Sequence, residues 1–379
     1  MVKHFLSKIS MVVLVLMSFV SCSRNKQLNA KYDYSLSKTE FSIEHDGQLI
    51  TNRFIFTKLI GEDSLIYFEQ KDRLFYLFDL KNKVLKTFLQ FDTEGPNFIE
   101  SQILGFDRVG DYFAILSSNY ISISDIHGQV IKRKNINKLQ NNWNDSNVSR
   151  VHHLATKNEN ELYLAQSPRA VLAPFQYDGN NPPIFAIYHI AEDSLSYLPI
   201  NSPDETLIKD DSKGYYGSDA EHFFTLNKES IIFNFEFSPS VYRYSLDNKE
   251  LTRFEGKTTI FSEVAEPFPA NRHRDPEYLV KRKMLSGTKF SNIVYDQVNE
   301  VYIRFASHKI YNEESRRSKN RVYLQLFDKA FKNVLEEELL PPGKAEVYFQ
   351  NGSIYMIGVG NFQSEENATK FIKYDIHKN

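Results

Sequence analysis

Cys22 is the only cysteine in a chain of 379 residues, and its surroundings give it a chemistry. Lys3, His4 and Lys8 make a positive start, Ile9 to Val20 is an apolar run, and Phe19-Val20-Ser21-Cys22 ends it with a small residue before the thiol. This is the pattern of a secretory leader cut ahead of a cysteine that then carries lipid. The apolar run is short for a membrane span, which needs about 20 residues. A thiol kept only at the cleavage point is accounted for by a diacylglyceryl thioether. Acyl chains there hold a soluble domain on a membrane, at about 0.8 kcal/mol per buried methylene. The plainer alternative is an ordinary leader with an incidental cysteine. Ser23-Arg24-Asn25-Lys26 is not acidic, which favours the periplasmic side of an outer membrane over the cell surface.

Other reactive side chains are scattered. Asp107, His152, His153, Glu221, His222, Asn292 and Asp296 fall on runs expected to face an axis, but they do not make a ring of carboxylates. His152 and His153 are adjacent, and adjacent residues of a strand point to opposite faces, so at most one reaches the axis. Arg272-His273-Arg274 and Lys281-Arg282-Lys283 form a basic cluster suited to an anionic ligand or a lipid headgroup, and equally to a solvated helix face. Trp143, the sole tryptophan, sits among Asn141, Asn142, Asn144 and Asp145. It suits stacking on a sugar or plugging of a local apolar gap. In Thr93-Glu94-Gly95-Pro96-Asn97 the glycine and proline follow from turn geometry, leaving Glu94 and Asn97 as ligand candidates. Asp63-Ser64-Leu65 and Asp193-Ser194-Leu195 look like acceptors of a periplasmic O-glycosylation system, and turn chemistry explains them more simply. No nucleophile elbow, phosphate loop, zinc motif or paired-cysteine site is present. No cofactor is implied.

Positioning these groups falls to strands. The chain has 22 Tyr, 30 Phe and 15 Gly, and helical periodicity is almost absent. The chain holds 46 basic residues, and without Lys3 and Lys8 the mature charge is near −4 against 48 acidic ones, with no basic block. That argues against a dedicated nucleic-acid binder. Short apolar runs recur with one grammar: a strand, a second strand ending in aromatic-x-Asp or similar, a tight polar turn, and a third strand. Leu74-Phe-Tyr-Leu-Phe-Asp79, Tyr120-Ile-Ser-Ile-Ser-Asp125 and Val322-Tyr-Leu-Gln-Leu-Phe-Asp328 carry it most plainly. Six copies, each preceded by another apolar run, predict an all-β, six-bladed β-propeller of four-stranded antiparallel blades. The rival arrangement is a pair of β-sandwiches. The sixth copy lacks its outer strand, and Phe41-Ser-Ile-Glu44 can supply it and close the ring. The expected division is a leader at 1–21, a tether at 22–38 and the propeller at 39–379.

With strands named a to d from axis to rim, the a–b and c–d turns share one face and the b–c and d–a connections the other. Long b–c loops are expected at 166–183, 307–320 and 361–368, and long d–a connections at 135–150, 201–222 and 256–290. A short helix is expected over Asp275–Met284, where Pro276 follows an aspartate. Long loops gathered on one face mark a binding surface.

The chain resembles a family of bacterial lipoproteins with TolB-like six-bladed propellers, described only as a domain of unknown function. The likeness rests on Cys22, Thr93-Glu94-Gly95-Pro96-Asn97, Phe237-Ser238-Pro239-Ser240-Val241-Tyr242, and Tyr295-Asp296 with Val301-Tyr302-Ile303-Arg304-Phe305. Arg304 is also a ligand candidate. The resemblance implies a fold and an address but no reaction. The leading expectation is therefore a membrane-held, non-enzymatic module that binds a protein, peptide or glycan of the envelope. The alternative is a metal-dependent lyase or lactonase-like hydrolase with an axial site.

Overall fold

The computed structural model describes residues 33–45, 56–60, 64–70, 72–136, 149–168, 183–201, 214–215, 221–256, 258, 268–269, 287–312, 317–339, 344–350, 352–359 and 368–379. Within them, strand β1 (Tyr34–Glu44) precedes six blades. Blade one is β2 (Phe56–Ile60), β3 (Ser64–Glu69), β4 (Leu74–Asp79) and β5 (Val84–Gln90). Blade two is β6 (Ile103–Val109), β7 (Tyr112–Ser117), β8 (Tyr120–Ser124) and β9 (Val130–Asn135). Blade three is β10 (Ser149–Asn158), β11 (Glu161–Pro168), β12 (Phe185–His189) and β13 (Ser194–Tyr197). After β14 (Gly214–Tyr215), blade four is β15 (His222–Leu226), β16 (Ser230–Phe235), β17 (Val241–Ser245) and β18 (Leu251–Phe254). After β19 (Phe268–Pro269), blade five is β20 (Thr288–Asp296), β21 (Val301–Asn312), β22 (Arg317–Phe327) and β23 (Asn333–Leu339). Blade six runs β24 (Lys344–Gln350), β25 (Ser353–Val359) and β26 (Ala368–Lys378), with β1 as its fourth strand.

Consecutive side chains of a strand point to opposite faces, and here both faces are apolar. In β3, Leu65 and Tyr67 join a core with Ile357 and Phe371 of blade six, while Ile66 and Phe68 join one with Phe106 and Ile115 of blade two. The same alternation builds clusters between blades two and three, three and four, four and five, and five and six. Six cores between six sheets make a ring. This explains the unbroken apolar runs, which a one-faced sheet would not show.

The aspartate ending strand c also has a role. Asp79 Oδ1 accepts the Asn82 N–H at 2.9 Å, Asp125 Oδ1 accepts from His127 and Gln129, and Asp328 Oδ1 from Ala330 and Lys332. Each carboxylate fills the donors of its c–d turn. Asp193 does related work in blade three: its carboxylate receives the Tyr188 hydroxyl at 2.8 Å and Lys134 Nζ at 2.7 Å. Asp193 of the Asp-Ser-Leu motif thus serves its turn, and Ser194 within the motif is exposed.

Three boundaries differ from expectation. The tether was expected to reach residue 38, but β1 begins at Tyr34, paired in register from Tyr34↔Lys378 to Glu44↔Ala368. The extra residues are anchored: Tyr34 is buried, with its hydroxyl 3.3 Å from Asn299 O, and Leu36 packs on the core between blades five and six. The loop expected at 307–320 is mostly hairpin, since β21 and β22 stay paired out to Asn312↔Arg317. The connections 202–220 and 257–286 are stitched at one point by pairing of β14 with β19. The helix expected over Asp275–Met284 lies outside the described residues.

A chain starting at Asp33 should keep its melting temperature within a few degrees. One starting at residue 49 bares the edge of β26 with Phe371 behind it, and exposed edges aggregate. Insolubility or a melting point at least ~10 °C lower is expected, from loss of several kcal/mol of cross-strand and core contacts. A second test uses His45, buried after β1 with Nε2 2.8 Å from Thr369 Oγ1. Burial holds its pKa below the usual histidine value. As pH falls through the unfolded value of about 6.5, the unfolded chain takes up a proton that the folded chain resists, so stability drops. His45→Gln should lose less melting temperature than wild type between pH 7.5 and 5.5.

Candidate functional site

The axial candidates are engaged in holding the blades together. A β-bulge in β10 falls at His152, between the pairs Val151↔Gln166 and His153↔Ala165. A bulge upsets strict alternation, and both imidazoles consequently meet β15. His152 Nε2 is 2.7 Å from His222 O, its ring edge-on to the His222 ring at 5.0 Å. His153 stands edge-on to Phe224, also at 5.0 Å. The expectation that the two histidines diverge is thus corrected. His222 is fully buried, with Nε2 3.1 Å from Ile184 O. Asp107 Oδ2 accepts the Thr156 N–H at 2.8 Å, tying the inner strand of blade two to that of blade three. Asp296 closes the a–b turn of blade five through Val298 N and Asn299 Nδ2. Glu221 offers its carbonyl to Glu236 N, and Asn292 lies in the bulge of β20. Among the described residues, no group of three or more His, Cys, Asp or Glu is placed to hold a metal ion.

Arg304 is the largest fully buried side chain among the described residues. Its guanidinium lies between the rings of Phe290 and Phe327, with centroids 4.4 and 5.0 Å away. Nη1 donates to Pro239 O at 2.7 Å, Nη2 to Gly256 O at 2.8 Å, and Nε and Nη2 both reach Gln325 Oε1. Gln325 Nε2 passes the contact on to Glu336 Oε1 at 3.2 Å, where Thr258 Oγ1 also donates. Burial pushes the Arg304 pKa down to about 9, and Glu336 opposes that fall. What this residue holds is the chain itself: the b–c turn of blade four and the start of the d–a connection after it. Gly256 is required there, because a Cβ would sit 2.2 Å from Pro239 O. Gln325, Glu336 and Gly256 escaped the sequence reading, although a charged or amide residue inside an apolar strand was the available signal.

The Thr93–Asn97 turn is a clasp. Gly95 takes φ +87°, a left-handed conformation that glycine adopts without strain. Asn97 Oδ1 accepts Val130 N at 3.2 Å, and Arg133 donates to Pro96 O and Phe98 O while its guanidinium stacks 4.1 Å from the Phe98 centroid. Asn97 is therefore half-buried in a structural bond, and Glu94 alone of that pair is exposed. Cys22, Trp143, Arg272 and His273 lie outside the described residues.

A cleft of about 970 Å³ opens on the short-turn face, where blades three, four and five meet. Its walls carry Lys157, Lys228, Glu229, Arg243, Glu250, Tyr295 and Tyr302, with a floor of hydroxyls and amides around Asn227. Its position was not anticipated, because its residues come from three separate turns and share no local motif.

Truncating Arg304 leaves the Pro239 and Gly256 carbonyls and Gln325 Oε1 short of a donor in a dry site. Arg304→Met should cost about 3–5 kcal/mol, the scale for breaking a buried charged network. Arg304→Lys should also be destabilising, because an ammonium cannot reproduce the planar fork. Urea denaturation of both variants checks this. A lysine variant as stable as wild type would mean that the fork geometry is immaterial.

The model of a family described as a domain of unknown function, DUF4221, matches residues 33–338, starting one residue before β1. The crystal structure of a DUF4221 member from Bacteroides vulgatus superposes with a TM-score of 0.69 at 17% identity, covering 91% of this chain and 99% of that one. A putative exported protein from Bacteroides fragilis superposes at 0.52 with 11% identity, over 93% and 98%. At such identities the likeness concerns the fold. A comparison with curated proteins returned no significant match. With its match extending over most of the ring, the chain belongs to the DUF4221 family.

Proposed function

We propose that the protein is a lipid-anchored envelope propeller that acts by binding, not by catalysis, through its long-loop face. One observation carries this reading: the partition of connection lengths between the two faces. Every a–b and c–d turn has five residues or fewer, whereas the b–c and d–a side carries 136–148, 169–184, 198–221 and 255–287. Long connections raised on a rigid scaffold are the usual means of recognition. The axial polar groups support the same reading, since His152, His222, Asp107, Asp296 and Arg304 are committed to main-chain partners. A ligand of protein, peptide or glycan type suits such a face. Cys22 is the proposed point of acylation, and the outer membrane's periplasmic leaflet the proposed address.

Cys22→Ala should abolish fatty-acid labelling and move the chain from membrane to soluble fractions without lowering its melting temperature; a variant that still labels would rule out this anchor. Purified protein, used as bait in envelope extract, should retain its partner only while the long connections are intact. Replacing 169–182 by a Gly-Ser turn should abolish capture. Stoichiometric Ca²⁺ or Zn²⁺ in the purified protein would instead support an axial enzyme site.

A further inference from the structure

Among the described residues the short-turn face carries a cleft over blade four, which the reading above leaves unused. Three blades contribute to it. Lys157 comes from the end of β10, Arg243 from β17, and Tyr295 and Tyr302 from the inner strands of blade five. The floor is preorganised. Asn227 Oδ1 accepts Glu229 N, Ser230 N and Ser230 Oγ at 2.7–3.0 Å, leaving its amide to the Tyr302 hydroxyl. Lys157 Nζ grips the same turn through Lys228 O at 2.6 Å. Tyr302 is only 7% exposed, and burial raises its phenol pKa. It enters the site as a neutral hydroxyl.

Tyr295 and Tyr302 line one wall and belong to a column of rings. Tyr295, Tyr302, Phe331 and Phe254 follow one another at centroid separations of 4.9, 4.5 and 4.4 Å. The exposed Arg243 guanidinium caps it, 5.4 Å from the Phe254 centroid. An arginine fork matches a carboxylate in two parallel bonds. Exposed Lys228 adds positive charge at the mouth. Thr156, Thr225, Ser245, Thr252, Asn248 and Gln297 supply donors and acceptors in a density that suits a polyhydroxylated molecule. Half-buried Tyr295 offers an edge for the C–H face of a pyranose ring.

We propose that this cleft binds a saccharide bearing a carboxylate, with the acid group on Arg243, the hydroxyls on the amide and hydroxyl floor, and the sugar ring against Tyr295. The proposal goes beyond the reading above and concerns the opposite face, so either can fail without the other.

The test is calorimetric titration of the full chain in detergent with trigalacturonate, and in parallel with N-acetylneuraminate, maltotriose and acetate. At least one acidic sugar should bind saturably, with affinity falling as salt is raised. Maltotriose and acetate should each bind at least ~10-fold more weakly, since a charged hydrogen bond is worth that much. Arg243→Gln should lose about 10–100-fold with an unchanged melting temperature, and Tyr295→Ala at least several-fold. Arg243 is exposed, so its loss should not disturb folding; Arg243→Lys, keeping charge without the fork, should recover only part of the affinity. The proposal is overturned if neither acidic sugar binds, if maltotriose or acetate binds as well, or if Arg243→Gln binds like wild type. It is also overturned if vesicles of phosphatidylglycerol capture the protein through Arg243 while the sugars do not.

Discussion

A four-stranded sheet with large apolar side chains on both faces cannot persist alone in water. Each blade of this protein is such a sheet, and every other feature follows from the need to cover it twice. The solution is radial, with each face pressed against the next blade until the last meets the first. Phe68 and Phe75 of blade one and Phe106 and Phe113 of blade two show the grain of the contact: tilted rings follow one another at 4.6 to 5.1 Å, and Phe75 meets Phe106 across the seam at 5.1 Å. A well-packed seam of this kind tolerates little change in volume. Rigidity is thereby given to the rims, and turns and connections of any length can be raised there without disturbing the core.

The seams are not equal. Among the described residues, the apolar cluster between blades four and five has six buried members, against ten to thirteen at the other seams. That thin seam is where Arg304 sits, flanked by Phe290 and Phe327 and tied to chain carbonyls on the blade-four side. A buried ion network is a weak source of net stability, but it is directional. Here it sets how the chain leaves blade four for the longest connection of the molecule. The cleft opens at the other rim beside the same seam, where Tyr295 and Tyr302 line it.

Blade number, strand order and the paired closing strand were legible in the sequence, because the repeat grammar reflects two physical needs. Alternating apolar residues serve two seams, and the aspartate after an aromatic serves the turn. The start of β1 was misjudged because Ser35, Ser37, Lys38 and Glu40 look like solvent-bound tether; only Tyr34 and Leu36 hint at the strand. The site was far less legible. His152 was read on ideal alternation, and a bulge, which no residue type announces there, turned it toward His222. Asn97 and Arg304 were noticed as polar groups in motifs, but whether such a group meets a ligand or a carbonyl depends on distant chain. Arg304 meets Pro239 and Gly256, 65 and 48 residues away.

The pairing of β1 with β26 has a consequence in time. Ser35 and Asn379 bond across 344 positions, and Asn379 N donates to Asp33 O, so these contacts join the first described residues to the last. Contacts of such separation form late, after shorter loops have closed. A chain emerging from its amino end can assemble five blades in sequence, but β1 must wait for β26, the last strand to appear. Throughout that interval the first blade lacks its neighbour and one strand edge stands open. Folding of this ring is therefore vulnerable chiefly at its final step, and a chain cut short near its carboxyl end would lose the closing seam along with the missing strand.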